Sequence, residues 1–313
     1  MSISSQISDR FWNLPQKAQE EIDRERYFID DIIQKAHIQR LLLENLDGVE
    51  TAFDGGGGYG RFSLLLAAEG VHVTHFDLSL PMLEAAKRLA EERGLLERMT
   101  FVHGSLEDLS AFGDRQFDLA MSFDAPISYT YPNQERVIGE LARIASKKLV
   151  ISVSSLTGSL PYAFMPSGKV QYMMDPEADD HLVRWYMEWD SRPLKPDLEE
   201  ANRMYSSHLV GNLAEAEKRF SAGEADFPPI YCFSVEELRG ILERCGGRNI
   251  QLSGPGALSR SIPNRILIDL MKDADQKAAF LDLCYRYDSE PSCAGMGKDN
   301  LLAVADLQER NER

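Results

Sequence analysis

The chain has 313 residues, a hydrophobic fraction of 43% and a formal net charge of −16. That size and apolar content suit one large globular domain, or a domain with a sizeable addition, and argue against extensive disorder. The negative field disfavours nucleic acid and anionic membrane surfaces as partners and leaves a small molecule as the expected ligand. The longest apolar runs, such as Leu64–Ala68, are too short to cross a bilayer, and the first residues lack the basic start and apolar stretch of a signal peptide. A cytoplasmic protein with no membrane partner is expected. Cys232, Cys245, Cys284 and Cys293 form no C-x-x-C pair and lie in no His-rich tract, so reduced, mostly buried thiols are expected and no metal site.

In chain order, residues 1–46 read as helical, with Ile22, Phe28, Ile29, Ile32, Ile33 and Ile38 close to a 3.6-residue period and Asp47-Gly48 as a stop. From Val49 strands and helices alternate. VETAF, VHVTHFD, MTFVHG, FDLAMSF and KKLVISVSS read as strands, and GRFSLLLAAEG, LPMLEAAKRLAEERG and NQERVIGELARIAS as helices. Repeated β-α-β units imply a parallel sheet covered by helices on both faces.

After Ser155 the rhythm breaks. Residues 156–230 are rich in proline, aromatics and methionine; helix is expected at Ala178–Glu188 and Leu198–Arg219, with no clear strand. The α/β pattern returns at FSVEELRGILERCGG, where Ser234 and Glu237 form a capping box. RNIQLSGPG reads as a sixth strand, Asn264–Tyr287 as helical, and NLLAVADL as the last strand. The expected organisation is a helical cap (1–48), an α/β core (49–155), an inserted lid or substrate segment (156–230) and the C-terminal part of the core (231–313).

The loop DGGGGYG, Asp54 to Gly60, fits two patterns. Gly55, Gly57 and Gly60 match the dinucleotide spacing G-x-G-x-x-G, whereas Gly56, Gly58 and Gly60 after Asp54 match D-x-G-x-G-x-G of S-adenosylmethionine (SAM) binders. Glycines allow close backbone approach in either case. Asp54 separates the two, because a carboxylate there repels a pyrophosphate but accepts hydrogen bonds from the cationic α-ammonium of SAM. Asp77, closing the second strand, suits the ribose hydroxyls that both cofactors share.

In this order and spacing, DGGGGYG, HFDLSLPMLEAAK, FVHGSLEDL and FDLAMSFDAPISY resemble the class I SAM-dependent methyltransferases, within them the small-molecule branch of UbiE-type and glycine/sarcosine-type enzymes. The resemblance implies a Rossmann-like, doubly wound, seven-stranded and mostly parallel sheet with a reversed last strand. It implies SAM as cofactor, with S-adenosylhomocysteine as product. Asp54, Gly56 and Gly58 would line the methionine half, Gly55 would fill the turn and Gly60 would open the helix. Asp77 would hold the ribose and Leu78 would pack on the adenine. Ser105 and Leu106 stand where the family often has an Asp and an apolar residue; Glu107, Asp108 or a backbone carbonyl could replace the missing carboxylate. Ser122 and Phe123 begin the segment that would pass beneath the methionine part.

Methyl transfer needs an aligned nucleophile, exclusion of water and an exit for a proton. Asp124, Tyr129, Tyr131, His181 and Trp185 are expected near the acceptor, with His208 a further base candidate, but no residue is assigned as catalytic. The lid, and Tyr27 and Phe28 from the N-terminal helices, would close the site around a small methyl acceptor, at O or N. The alternatives are an NAD-dependent oxidoreductase and a non-catalytic SAM-binding module. Oligomeric state is not legible.

Overall fold

A computed structural model describes residues 1–161, 174–175, 184, 198–297 and 300–307. Three helices lead the chain: α1 (Ile3–Trp12), α2 (Lys17–Tyr27) and α3 (Ile29–Glu44). The core then runs β1 (Thr51–Gly55), α4 (Arg61–Ala68), β2 (His72–Asp77), α5 (Leu80–Glu92), β3 (Met99–His103), β4 (Phe117–Ser122), α6 (Gln134–Ile144) and β5 (Ala145–Ser155). After the short α7 (Leu156–Ser159) come α8 (Leu198–Ser207), β6 (Leu209–Val210), α9 (Leu213–Ser221), β7 (Ile230–Phe233) and α10 (Val235–Arg244). The chain closes with β8 (Gly247–Ser253), α11 (Asn264–Lys272), α12 (Ala274–Asp288) and β9 (Asn300–Leu307).

Strands β3, β2, β1, β4 and β5 pair in that order, all parallel. β9 runs antiparallel beside β5, from Lys148↔Asp306 to Ser154↔Asn300, and β8 pairs antiparallel with its other edge. This is an α/β fold with a mostly parallel sheet and a reversed last strand. Alternation along each strand sends neighbours to opposite faces. On β5, Leu149, Ile151 and Val153 join Val137 and Leu141 of α6 and Leu238 of α10 in one apolar cluster. Val150 instead joins Ile38 of α3 and Phe62 and Leu66 of α4 on the other face. The reversed β9 divides likewise, with Leu301 and Ala303 on the first face and Leu302 and Val304 on the second. Each face excludes water through a helical layer of its own.

The strand count corrects the expected seven. Residues 156–230 contain β6, which pairs antiparallel with β7. β7 in turn pairs parallel with β5 at Ser154↔Cys232 and Ser155↔Phe233. Ser154 already meets β9 on one side, so β7 occupies the side of β4, beyond the point where β4 ends. The expected helix 198–219 is broken in two, because His208 (φ 59°) and Gly211 (φ 83°) turn the chain into β6. A two-residue strand carries no periodicity, so only pairing reveals it. Of the expected helix 178–188 only Arg184 is described, and it is helical. The stretch 264–287 divides where Asp273 accepts the Gln276 N–H and caps α12. The Ser234–Glu237 capping box forms as expected.

Candidate cofactor and active site

Along the C-terminal ends of β1 to β4 lies a cavity of about 140 Å3. In a doubly wound sheet this is where ligands bind, since the crossovers to opposite faces part there. Asp54 ends β1 in the cavity wall, Asp77 ends β2, Gly104, Ser105 and Leu106 follow β3, and Phe123, Asp124 and Pro126 follow β4. Gly56, Gly58, Leu78 and Tyr129 also line it. Gly55, Gly60, Ser122 and Tyr131 do not belong to the wall.

Three of those four have packing roles instead. A Cβ on Gly55 would meet Leu106 Cδ2 at 2.7 Å, so this glycine allows the loop to pack on the adjoining wall. Gly60 starts α4 at φ 88°, with Ala86 of α5 only 3.0 Å from where its Cβ would be. Ser122 is fully buried with no hydrogen-bond partner for its hydroxyl. Tyr131 stacks on Tyr231 of the β6–β7 ribbon, ring centroids 5.7 Å apart. His208 faces Glu237 Oε2 at 3.2 Å beside the same ring and is likewise no part of the wall. His181 and Trp185 lie outside the described residues.

Within the loop, Gly56 (φ 72°) and Gly58 (φ 57°) adopt left-handed backbone that favours glycine. A Cβ on Gly56 would sit 2.5 Å from Pro126, whereas one on Gly58 would meet nothing within 4 Å. Four of the loop's N–H groups are engaged inside the protein. Gly56 and Gly57 donate to the Phe76 carbonyl at 2.7 and 3.2 Å, and Gly60 donates to the Gly57 carbonyl at 2.9 Å. Gly58 donates to Asp77 Oδ2 at 2.8 Å. A phosphate would need such groups free. Here it would meet two carboxylates instead.

Burial shapes those carboxylates. Asp54, 1% exposed, is pushed up to about 7 by burial, with Asp77 and Asp124 adding repulsion and the Ser63 hydroxyl opposing it. Burial raises Asp77 as well, against N–H donors from Ser79 and Gly58. Asp124, at φ 61°, lines the cavity and stays exposed to solvent; desolvation there raises its carboxyl, with Lys35 opposing. A cation entering this cavity relieves mutual repulsion.

Several wall residues come from outside the motifs. Ser5, Ser8 and Trp12 of α1 and Glu21 of α2 close the cavity from above, whereas Tyr27 and Phe28 do not reach it. The Ser2 N–H and the Ser5 hydroxyl both donate to Glu107, at 2.6 and 3.0 Å, and at the far end Ser79 Oγ donates to the Trp12 carbonyl at 2.8 Å. Glu107 is thus occupied in tying down α1, and Asp108 turns outward to Ser110. Trp12 and Tyr129 pack on Phe227, so residues preceding β7 reach the same wall. Amphipathic spacing marked the N-terminal helices, but long-range contact alone selects which residues face the cavity.

The match to known proteins coincides with this region. Residues 52–148 match a family described as "Methyltransferase domain". The likeness to that family is confined to this span. Over 91 residues the chain is 31% identical to tRNA 5-carboxymethoxyuridine methyltransferase of Escherichia coli (strain K12), an alignment covering 26% of this chain. It spans only 35% of that relative's length. Among solved structures, the PH0226 protein from Pyrococcus horikoshii OT3 is similar with TM-score 0.49 and 17% identity, covering 87% of this chain and 88% of that one. Magnesium protoporphyrin IX methyltransferase from Synechocystis PCC 6803 with bound SAH gives TM-score 0.45 and 14% identity, covering 89% and 86%. The matched span contains β1 to β4, α4 to α6 and the first residues of β5, and so every strand end that forms the cavity.

Proposed function

We propose that the protein is a SAM-dependent methyltransferase acting at O or N of a small molecule. The carrying observation is the pairing of Asp54 and Asp77 in one cavity, beneath a glycine loop with the N–H groups of Gly56, Gly57, Gly58 and Gly60 already engaged. Such a site favours a cationic nucleoside cofactor over a dinucleotide. The open space at Gly58 leaves room for a ligand against the loop. When bound, SAM supplies an electrophilic methyl group on a sulfonium.

The residues divide the remaining work. Asp54 would accept from an α-ammonium, and Asp77, which uses one oxygen for Gly58 and the other for Ser79, keeps lone pairs for ribose hydroxyls. Leu78, Ser105 and Leu106 would flank the base. Phe123, Asp124 and Tyr129 would face the acceptor, and Trp12 with its helix would exclude water. Asp124, on the wall where the acceptor would lie, would be placed to receive a proton from it. Residues 49–155 and 231–313 would form the core, with 1–48 as its cap and 156–230 as an insertion.

The named relative methylates tRNA, but a net charge of −16 weighs against a polyanionic substrate. No described helix is long and apolar enough to cross a membrane. Calorimetric titration with SAM, S-adenosylhomocysteine and NADH tests the cofactor. Binding of NADH without SAM would overturn the reading. A screen of metabolite extracts for SAM-dependent mass gains of one methyl group then tests for an acceptor, and methylation of RNA alone would overturn the small-molecule part.

A further inference from the structure

Beneath the glycine loop, three polar side chains make more contacts than their usual protons can satisfy. Ser63 of α4, His75 of β2 and Asp54 of β1 are all essentially sealed from solvent. Ser63 Oγ lies 2.6 Å from Asp54 Oδ2 and 2.9 Å from His75 Nδ1. His75 Nε2 lies 3.1 Å from the Gly58 carbonyl oxygen. That oxygen can only accept, so Nε2 carries a hydrogen and a neutral His75 has a bare Nδ1. Ser63 has a single hydrogen for two neighbours. If it donates to Nδ1, the short contact to Asp54 needs a proton on the carboxyl. If it donates to Asp54, the contact to Nδ1 needs a protonated imidazole. Either way the trio holds one proton more than an ionised aspartate and a neutral histidine would.

We propose that His75 and Ser63 are positioning residues that share one proton with Asp54 before the cofactor arrives, and that SAM binding expels this proton to solvent. The inference rests on SAM being the ligand of this cavity. Burial favours the uncharged arrangement, raising Asp54 and lowering His75 to about 4, so the proton resides on the carboxyl. The charged groups facing Asp54 reinforce this. Asp77 from β2 and Asp124 after β4 both repel a carboxylate, and Arg61 of α4 and Glu21 of α2 share the cavity wall. Around His75 the other neighbours are the Phe101 ring and the loop backbone at Gly57 and Gly58, which bring no formal charge. An α-ammonium beside Asp54 reverses the preference, because the carboxylate then has a cationic partner. The ionised Asp54 takes the ammonium as its partner and the Ser63 hydrogen stays with His75. The Gly58 carbonyl keeps its donor, so the loop holds its shape while the charge changes.

Proton counting tests this on the full chain. SAM is titrated at about pH 6, below the ordinary range of an α-amino group, in two buffers of different ionisation heat. The expected result is release of close to one proton per SAM, with the dissociation constant falling about tenfold per pH unit up to about pH 7 and then levelling. In His75→Phe, Ser63 is free to donate to an ionised Asp54, so proton release shrinks and the pH dependence moves down. In Ser63→Ala, the protonated Asp54 loses the oxygen that accepts its hydrogen, so the carboxyl ionises at lower pH and the dependence again moves down. A purely structural role would weaken SAM binding in both variants without moving either profile, and would overturn the proposal. SAM binding to the wild-type chain without proton release overturns the shared proton and leaves the methyltransferase reading standing. No SAM binding at any pH overturns both.

Discussion

The Asp77 carboxylate accepts the Gly58 N–H at 2.8 Å and thereby ties the end of β2 to the glycine loop of β1. The same side chain is proposed to hold the ribose, so loop shape and cofactor affinity depend on one group. Asp77→Ala removes a charge-assisted bond of about 2 kcal/mol as well as the ribose acceptor. SAM affinity is expected to drop by about 30-fold or more, read by calorimetric titration. Unchanged affinity would remove Asp77 from the site.

Gly56 and Gly58 separate folding from binding. Both are left-handed, but only at Gly56 would an added methyl strike a neighbour, Pro126 at 2.5 Å. Gly56→Ala is expected to lose about 2 to 3 kcal/mol of stability, read by urea unfolding. Gly58→Ala should lose only about 1 kcal/mol, with its Cβ at the cavity rim, and show its main effect on SAM affinity. Equal losses of stability would contradict this division.

Glu107 anchors the helix that closes the cavity. Its burial works against the charge, yet hydrogen bonds from Ser2, Asn133 and Ser5 hold its carboxyl below the usual range. Glu107→Ala removes these acceptors together. Proteolysis within residues 1–16 and the rate of SAM dissociation are both expected to rise several-fold, while the melting temperature shifts little. Unaltered protease sensitivity would show that α1 needs no such anchor.

A buried carboxylate far from the cavity sets part of the stability profile. Asp288 is sealed and accepts the N–H groups of Gly256 and Leu258 at 2.8 and 2.9 Å, yet burial outweighs them and raises it to about 6. A carboxyl raised on folding contributes stability below its unfolded pKa of about 4, which is lost as pH rises through about 6. The contribution is about 3 kcal/mol by this linkage. The stability of Asp288→Asn relative to wild type is therefore expected to improve between about pH 4 and about pH 7. Urea titrations across that interval check the sign, and a flat difference curve would refute it.

Much of the fold was legible because it rests on local signals. The alternation of VHVTHFD, the Gly-punctuated helices and the Ser234–Glu237 box each depend on residues a few positions apart, and the corresponding elements formed. β6 and the break at His208 were not legible. They exist through pairing with Ile230–Phe233, which lies some twenty residues away and carries no repeating pattern. In the cavity, Asp54, Asp77 and the left-handed glycines announced themselves by type and spacing. His75 left a weaker trace, as a polar residue on the same strand face as Val73, where an apolar side chain would be ordinary.

Sequence by itself determined the α/β order and the motif residues that the strand ends bring into one crevice, since periodicity and turn chemistry act over short distances. Tertiary structure alone decided that Gly55 and Gly60 serve packing while Gly56 and Gly58 face the cavity. It also decided that α1 supplies the roof instead of Tyr27 and Phe28, and that Ser63 and His75 stand behind Asp54. Those are choices between neighbours on the same loop or helix. They depend on what lies opposite each side chain across the fold, which no local pattern encodes.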